Sequence, residues 1–435
     1  MAAILIRKAR LIDPGSGIDG TRDLLASEGR VARVEEDIRP ADAAAFLPEP
    51  PSVIDAEGLW LIPGLVDPHV HFREPGFPAK ETLASGARAA AAGGYTSVVC
   101  EPNTQPPIAT VEMVRALAAK ARREADVRVY FKAAMTAGRL GREPSDVAAL
   151  AREESVVALS DDGDPLVDPA VMERVCLLAA KAGILLTPHC EDSPKALAQI
   201  AAGADPGFRP GEPGTNEARY IERDLRIAAR YGCRIHFSHV SLARSVECIE
   251  ACQPRTSVTY EVTPHHLILC LEDYAEGEAP LVNPPIRPEA DRNALRRALL
   301  DGSADAIASD HAPHTAADKQ AGACGLIGVE TTLGLVLTHL VGEGRLSPAD
   351  AVRTMSFSPA RIFGLPCGAL ASGMPADMAL VDPAAEWTVR PESFRSRSRN
   401  TPFAGWSLRG TAVATFVGGR EVYADPSLDG RRSAP

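Results

Sequence analysis

The sequence predicts an α/β protein in which a TIM-type (β/α)8 barrel is joined to a small β-sandwich domain that both chain ends build together. Two observations support this fold. Residues 63–370 alternate eight short β-branched runs with longer amphipathic stretches, whereas residues 1–62 and 371–435 contain short strands separated by glycine turns. An open doubly wound sheet is the competing fold, but no glycine-rich dinucleotide fingerprint follows the first strand.

The two chain ends are predicted to share one β domain. Neither end carries enough apolar residues for a core of its own, so the two would fold together around the barrel insert. The strands expected there are 4–6, 23–26, 30–34 and 53–55 near the start, and 378–381, 412–417 and 421–423 near the end.

The central region is predicted to form the barrel, because its apolar pattern changes repeatedly from period two to period 3.6. The predicted strands are 65–71, 97–100, 127–132, 156–160, 184–189, 234–239, 258–263 and 304–310. The predicted helices are 81–92, 111–124, 169–182, 216–231, 243–252, 292–300 and 331–340.

Composition narrows the class of protein. The 435 residues are 45% hydrophobic, and the net charge of -11 argues against a nucleic-acid or anionic membrane surface. Residues 1–10 do not resemble a secretion signal, and no apolar run reaches the ~18 residues of a membrane span. The nine cysteines are scattered and odd in number, which is typical of reduced thiols. We therefore expect a cytoplasmic protein with a small-molecule substrate.

Polar side chains end most of the predicted barrel strands. His69 and His71 lie two residues apart on one strand, so both imidazoles can face one ion. Alone, such a pair is as compatible with two hydrogen-bonded histidines as with a metal site. The carboxyl ends of barrel strands meet at one rim, however, and the same rim would receive further donors. These are Asn103, Asp162, His189, His239 and Asp310.

The donors fit Zn²⁺, which binds imidazole nitrogen and carboxylate oxygen. One ion could not use six side chains and stay open to substrate, but two ions about 3.5–4 Å apart could. The set divides into His69, His71 and Asp310 for one ion, His189 and His239 for the other, and Asp162 between them.

For two of the predicted metal ligands, the sequence offers a second candidate residue. Strand alternation lets only one of Asp161 and Asp162 face inward, and we predict Asp162. Asp161 would then cap the turn or accept a hydrogen bond from a ligand histidine. His236, on the same predicted strand as His239, is a rival ligand if it faces the same side deeper in the barrel.

Six motifs carry a family resemblance. They are DPHVHFREPG at 67–76, EPNT at 101–104, FSHVS at 237–241, EVTPHH at 261–266, VNPPIR at 282–287 and SDHAPH at 309–314. Together they resemble the dihydroorotases of the amidohydrolase superfamily. NTPFAGW at 400–406 is similar to the larger, two-domain bacterial type.

The resemblance implies the reversible cyclisation of N-carbamoyl-L-aspartate to L-dihydroorotate in pyrimidine (UMP) synthesis. It implies zinc at the six donors above, with Asp310 as the catalytic proton carrier. Many relatives bridge two zincs with a carboxylated lysine. The fourth strand has no lysine here, and similar members use an aspartate at the place of Asp162, so one or two ions are expected. The substrate-binding residues implied by the resemblance are Arg73, Asn103, Asn283 and His314.

Other functions stay open at this point. A hydantoinase or allantoinase would share the fold and the HxH motif but usually has the bridging lysine. A non-catalytic dihydroorotase-like subunit of aspartate transcarbamoylase would be expected to lose ligands, and none is lost here. The family also implies that an active chain can associate with aspartate transcarbamoylase, and a homodimer is the other partner arrangement considered.

Overall fold

An eight-stranded parallel barrel and a nine-stranded sheet make up the fold. The computed structural model describes residues 3–45, 47–203, 216–252 and 257–433. Its strands are β1 (Ile4–Asp13), β2 (Ile18–Ser27), β3 (Arg30–Glu35), β4 (Ser52–Asp55), β5 (Trp60–Pro63), β6 (Leu65–Val70), β7 (Tyr95–Cys100), β8 (Arg128–Ala134), β9 (Val156–Ser160), β10 (Leu185–Leu186), β11 (Ile235–Phe237), β12 (Val258–Val262), β13 (Ala306–Ile307), β14 (Met378–Thr388), β15 (Ser407–Val417), β16 (Arg420–Ala424) and β17 (Arg432–Ser433).

Helices follow most of the barrel strands. They are α1 (Pro40–Ala45), α2 (Leu83–Ala92), α3 (Val111–Glu124), α4 (Val147–Leu150), α5 (Pro169–Ala182), α6 (Pro194–Ala201), α7 (Asn216–Tyr231), α8 (Ala243–Ala251), α9 (Pro264–Ile268), α10 (Glu289–Leu300), α11 (Ala316–Gln320), α12 (Thr332–Val336), α13 (Pro348–Val352) and α14 (Ser358–Phe363). In the described ranges, no helix combines the length and apolarity needed to cross a membrane.

The barrel is built from β6 to β13, each strand pairing in parallel with the next along the chain. It closes where Val70 forms a parallel bridge with His311, and the amide of His71 donates to the carbonyl of His311 over 2.9 Å. The predicted (β/α)8 barrel is therefore confirmed. All strand carboxyl ends point to one rim.

Local sequence signals explain the helices around the barrel. The hydroxyl of Thr110 caps α3 by accepting from the amide of Met113, and the apolar face of this helix is buried. In α5 the Asp168 carboxylate caps the start, and Pro169 occupies the first turn. Gly183 ends the same helix in the left-handed conformation, with φ of 70°.

Three barrel strands are shorter than predicted. The expected strands 184–189, 234–239 and 304–310 keep ladder pairing only in β10, β11 and β13. His239 and Asp310 adopt left-handed backbone angles, with φ of 35° and 46°. Such angles break an extended strand, so these side chains leave the sheet and turn into the rim. The expected helix 331–340 also divides, because α12 continues from residue 337 as a wider π-type turn.

Both chain ends contribute to the nine-stranded sheet. β5, which the sequence pattern did not reveal, pairs with β1 from the start of the chain and with β14 from its end. The order is β16-β15-β14-β5-β1-β2-β3; off this path, β4 pairs with β1, and β17 pairs with β4. A separate apolar cluster fills this domain and includes Ile6, Leu11, Leu61, Met378 and Phe416.

Candidate active site

A cavity of about 280 Å³ opens at the rim formed by the carboxyl ends of the barrel strands. Its lining includes most of the predicted site residues, namely His71, Arg73, Asn103, Asp162, His189, His239, Asn283, Asp310 and His314. A larger space of about 790 Å³ lies on the outer face, against α7 and α8, away from these residues. The rim cavity is therefore the candidate active site.

Asp162 occupies the centre of the histidine cluster. Its Oδ1 lies 3.4 Å from His69 Nε2, 3.3 Å from His239 Nε2 and 3.4 Å from His189 Nδ1. Its Oδ2 lies 3.7 Å from His71 Nε2. One buried carboxylate thus faces imidazoles from three strand ends, which is the position predicted for a bridging group.

Asp310 approaches the cluster from the last barrel strand. Its Oδ1 lies 3.2 Å from His71 Nε2 and 3.7 Å from His69 Nε2. Burial would raise the pKa of Asp310, but hydrogen bonding to His71 and the charges of the nearby histidines lower it well below its usual range. The carboxylate is therefore ionised and available as a ligand or proton acceptor.

The donor set fits a divalent metal ion. His69 Nε2 is buried and has no hydrogen-bond partner among the described residues, although it faces Asp162 and Asp310. A buried polar atom without a partner is costly. Two groups bring donors within 4.8 Å of one another, one of His69, His71 and Asp310 and one of His69, Asp162 and His239. Imidazole and carboxylate donors together are typical of zinc sites.

Glu261 holds His69 in the orientation that a ligand needs. Its Oε1 lies 2.9 Å from His69 Nδ1, and Glu101 Oε1 lies 3.5 Å from the same nitrogen. Because a carboxylate accepts, Nδ1 donates to Glu261, and Nε2 is the ring nitrogen that faces Asp162 and Asp310. Glu261 Oε2 also lies 3.1 Å from His236 Nε2, which places the proposed rival ligand His236 deeper in the barrel, away from Asp162.

The barrel interior below the cluster contains a buried lysine. Lys132 on β8 forms a close ion pair with Glu101, and its ammonium lies 5.6 Å from the centre of the Phe363 ring. β9, the fourth barrel strand, carries no lysine. Asp162, two residues after β9, is the carboxylate that lies among the histidines at this strand end.

The turn after β9 separates the two aspartates. Asp161 faces away from the histidines and accepts hydrogen bonds from the amide and hydroxyl of Thr136. Gly163 follows with φ of 82°, a conformation that suits glycine and turns the chain back. The Arg139 guanidinium binds the backbone carbonyls of Asp161 and Asp162, so it fixes this turn. Sequence reasoning missed Arg139, although it follows the third barrel strand at the rim.

The charged side chains of the cluster shift one another's pKa values. Burial would raise the pKa of Asp162, but His69 and the hydrogen bonds from His189 and His239 lower it well below its usual range. Burial would likewise lower the pKa of His69, but the charges of Glu101 and Asp162 raise it. The site thus attracts positive charge at its centre.

Cationic and amide groups form the other side of the cavity. Arg73 adopts a left-handed φ of 60° just after the HxH motif, and its Nε donates to the carbonyl of Pro313 over 3.2 Å. Its Nη2 lies 3.3 Å from His314 Nε2. Arg73 and His314 therefore face the cavity as a pair suited to an anion.

The two predicted asparagines also contact the histidine cluster. Asn103 Oδ1 lies 2.9 Å from His71 Nδ1, and its Nδ2 donates to Asp162 Oδ2 over 3.0 Å. Asn283 Nδ2 lies 3.2 Å from His189 Nε2. Both residues line the cavity, so they lie between the histidine and aspartate cluster and the pair of Arg73 and His314.

A segment near the C-terminus supports His314. The amide of His314 donates to Ser398 Oγ over 3.2 Å, and Ser398 Oγ donates to the carbonyl of His314 over 2.7 Å. Asn400 Nδ2 donates to the carbonyl of Gly325, another lining residue, over 3.0 Å. The motif at 400–406 is visible in the sequence, but the sequence does not reveal that Asn400 supports the part of the cavity lining formed by His314 and Gly325.

Comparisons with known proteins identify the family of the chain. The model of the amidohydrolase family matches residues 60–422. A protein named dihydroorotase from Anaeromyxobacter dehalogenans (strain 2CP-1 / ATCC BAA-258) is 42% identical over 98% of this chain and 99% of its own length. One from Bacillus caldolyticus is 42% identical over 91% of this chain and 96% of its own length.

Solved structures show the same architecture. An L-hydantoinase (dihydropyrimidinase) from Arthrobacter aurescens matches with a TM-score of 0.84 and 26% identity, covering 99% of this chain and 98% of that one. A dihydropyrimidinase from Brevibacillus agri NCHU1002 matches with a TM-score of 0.83 and 23% identity, covering 97% of this chain and 95% of that one. The family match and the near-full-length relatives lead to one conclusion: the chain belongs to the amidohydrolase family, and within it to the dihydroorotases.

Proposed function

We propose that the protein is a metal-dependent dihydroorotase, which interconverts N-carbamoyl-L-aspartate and L-dihydroorotate in pyrimidine synthesis. One observation carries this proposal: a single cavity joins a histidine and aspartate cluster to the Arg73 guanidinium and the His314 ring. The cluster suits amide chemistry at a ring carbonyl. The Arg73 cation, with the ring N–H of His314, suits the carboxylate that stays on the substrate in both its open and closed forms.

Zinc is the metal we propose, held by residues that already face one another. The ligands would be His69, His71 and Asp310 for one ion, and His189 and His239 for a second, with Asp162 between them. When bound, such an ion supplies Lewis-acid polarisation of the carbonyl oxygen that is attacked. Metal analysis of the purified protein would give the identity and number of the ions, and a protein active without any divalent metal would contradict the proposal.

Asp310 is the proposed proton carrier. In the hydrolytic direction, water attacks the ring amide carbonyl, and the Asp310 carboxylate takes a proton from that water and delivers it to the leaving ring nitrogen. In the synthetic direction it takes the proton of the carbamoyl nitrogen as this nitrogen attacks the carboxylate carbon. The lowered pKa of Asp310 keeps its carboxylate unprotonated, as the acceptor role requires.

Arg73, His314, Asn103 and Asn283 are the proposed substrate-binding residues. Arg73 can grip a carboxylate with two parallel hydrogen bonds, which would fix the substrate against the metal-ligand side. Asn103, which also bonds His71 and Asp162, would align the carboxylate with the reacting carbonyl. We place Asn283 beside the pyrimidine ring because it lines the cavity next to His189.

The direction of the reaction should depend on pH. The open substrate has two carboxylates and the closed one has a single carboxylate, so ring closure consumes a proton. Synthesis is therefore favoured at lower pH and hydrolysis at higher pH, and equal pH profiles for both directions would count against the scheme.

A hydantoinase is the second candidate, because the solved structure of the L-hydantoinase shares the fold over almost the whole chain. Hydantoin, however, offers no carboxylate to Arg73 and His314. The deciding experiment compares turnover of dihydroorotate, hydantoin and allantoin by the same preparation. We expect dihydroorotate to have by far the highest kcat/KM, and a preference for hydantoin or allantoin would overturn the proposal.

We propose that the chain forms a homodimer. The family resemblance implies association with aspartate transcarbamoylase, which is the second arrangement we propose. Sedimentation of the chain alone and mixed with that enzyme would test both arrangements.

A further inference from the structure

The His314 ring lies between two cations. Arg73 Nη2 lies 3.3 Å from His314 Nε2, and Lys80 Nζ lies 3.4 Å from His314 Nδ1. Both cations are hydrogen-bond donors with no acceptor atom. Each ring nitrogen of His314 is therefore met by a group that can only donate.

A neutral imidazole can satisfy only one of these two donors. One ring nitrogen carries a proton and the other a lone pair, so one N–H of His314 must face a cation. Burial, with the charges of Arg73, Lys80 and Lys319, lowers the pKa of His314 to about 3, so the ring is neutral at ordinary pH. The tautomer then decides which cation is left facing an N–H.

Lys80 is fixed on the side of the ring away from the cavity. Its ammonium lies 3.2 Å from Asp318 Oδ1 and 5.1 Å from the centre of the Phe77 ring. Asp318 is itself held, because its Oδ2 accepts from the amide and hydroxyl of Thr315 over 2.9 and 2.6 Å. Lys80 is thus a donor of fixed position.

The two sides of the ring differ in their access to an anion. Arg73 and His314 both line the cavity, whereas Lys80 lies behind the ring and outside that lining. An anion in the cavity could accept from Arg73 and from a protonated His314 Nε2 at the same time. No such relief is available between His314 Nδ1 and Lys80, since Asp318 already takes the other side of the ammonium.

We propose that Lys80 is a positioning residue that donates to Nδ1 of His314 and keeps the ring proton on Nε2, directed with Arg73 at the substrate carboxylate. This inference rests on the proposed function for the identity of the anion. It assigns to Lys80, and to Asp318 behind it, a part in substrate specificity without contact to the substrate.

Steady-state kinetics test the consequence for binding. Lys80→Met should raise KM for dihydroorotate roughly 3- to 10-fold, as expected for the loss of one hydrogen bond, with kcat nearly unchanged. Lys80→Arg keeps a donor and should recover most of the affinity. Lys120→Met is the matched control, because Lys120 forms a comparable ion pair with Glu74 away from the His314 ring.

A nitrogen NMR measurement on the metal-loaded protein labelled with ¹⁵N-histidine tests the tautomer directly, with His314→Gln used for assignment. We expect a lone pair on Nδ1 and a proton on Nε2 in the wild type, and loss of this preference in Lys80→Met. A proton on Nδ1 in the wild type, or an unchanged tautomer in Lys80→Met, overturns the inference.

The two proposals fail in different ways. A wild-type protein that does not turn over dihydroorotate would contradict the proposed function, while the NMR result would still decide the role of Lys80. An active wild type with unchanged KM in Lys80→Met, or an equal loss of kcat, would overturn the role of Lys80 alone.

Discussion

The two sides of the cavity use opposite chemistry. On the proposed metal-ligand side, His69, Asp162 and Asp310 are buried, and the side chains behind them are acids such as Glu261. On the proposed anion-binding side, Arg73 and its neighbours are cations and amides, and its guanidinium keeps contact with the open cavity. One side attracts a cation, and the other attracts an anion.

This difference separates turnover from recognition. Groups on the metal-ligand side would move protons and hold the ion, so their loss should lower kcat. Groups on the anion-binding side would hold a carboxylate at a distance from the reacting bond, so their loss should mainly raise KM. The variants below test this separation, beginning with the largest expected effect.

Asp310→Asn should have the largest effect. The amide cannot accept a proton as the carboxylate does, so we expect kcat to fall by roughly 10²- to 10⁴-fold. Asp301→Asn is a control, because Asp301 is exposed at the C-terminal cap of α10, in the turn that precedes β13. Kinetics and metal analysis should be done on the same samples, so that loss of metal is distinguished from loss of proton transfer. Near-normal turnover by Asp310→Asn would contradict its catalytic role.

Glu261→Gln should have the next largest effect. Glutamine keeps the shape and one acceptor but removes the charge that holds the proton on His69 Nδ1. Partners of ligand histidines typically contribute about 10- to 100-fold to metal affinity or activity, and we expect a loss in that range. Metal titration of the variant beside Glu247→Gln, an exposed acid paired with Arg244, measures it. If Glu261→Gln changed only KM, the proposed division between groups that affect kcat and groups that affect KM would be wrong.

Arg73→Met should affect the other side of the cavity. Removing a charge-assisted hydrogen bond to a carboxylate should raise KM for dihydroorotate by about 10-fold or more, with a smaller change in kcat. Arg115→Met is a matched control, because Arg115 pairs with Glu153 on the surface. If kcat fell as much as in Asp310→Asn, Arg73 would belong to the catalytic machinery instead.

The sequence predicted the barrel because its signals are local. Alternation of strands and helices and the polar strand ends can be seen without knowing any contact, and they placed His69 and His71 at the rim. β5 was missed because its four residues, Trp60–Pro63, form a strand only through pairing with distant β1 and β14. The early ends of the strands before His239 and Asp310 depend on backbone angles that no side-chain pattern reveals.

The supporting residues of the site were hard to predict for a related reason. Glu261 lies in the EVTPHH motif at 261–266, but its role in orienting His69 depends on a contact between residues that are 192 positions apart in the chain. Lys80 and Ser398 carry no signal of their own, since a lysine and a serine in polar segments are ordinary surface residues. Only the folded chain brings both of them to His314.

Glu330→Gln should have the smallest effect, on stability and not on chemistry. Glu330 accepts hydrogen bonds from the amides of Arg395 and Ser396. These residues precede Ser398, which bonds the backbone of His314. Burial raises the pKa of Glu330 to about 7. An unfolded chain titrates a glutamate near ~4.3, so the native state binds this proton more tightly. The free energy of unfolding should therefore fall as pH rises from about 4 towards 7. This fall should be smaller in Glu330→Gln than in the wild type, because glutamine does not titrate.

Thermal unfolding at about pH 5 and pH 8 measures that difference. We expect the drop in Tm between the two conditions to be smaller in Glu330→Gln than in the wild type, with kcat and KM unchanged at either pH. Glu247→Gln should reproduce the wild-type drop, because its carboxylate is exposed. An equal drop in all three proteins would mean that Glu330 titrates normally. A change in KM alone would mean that the segment around Arg395 and Ser396 contributes to substrate binding. The anion-binding side of the cavity would then include this C-terminal part of the chain.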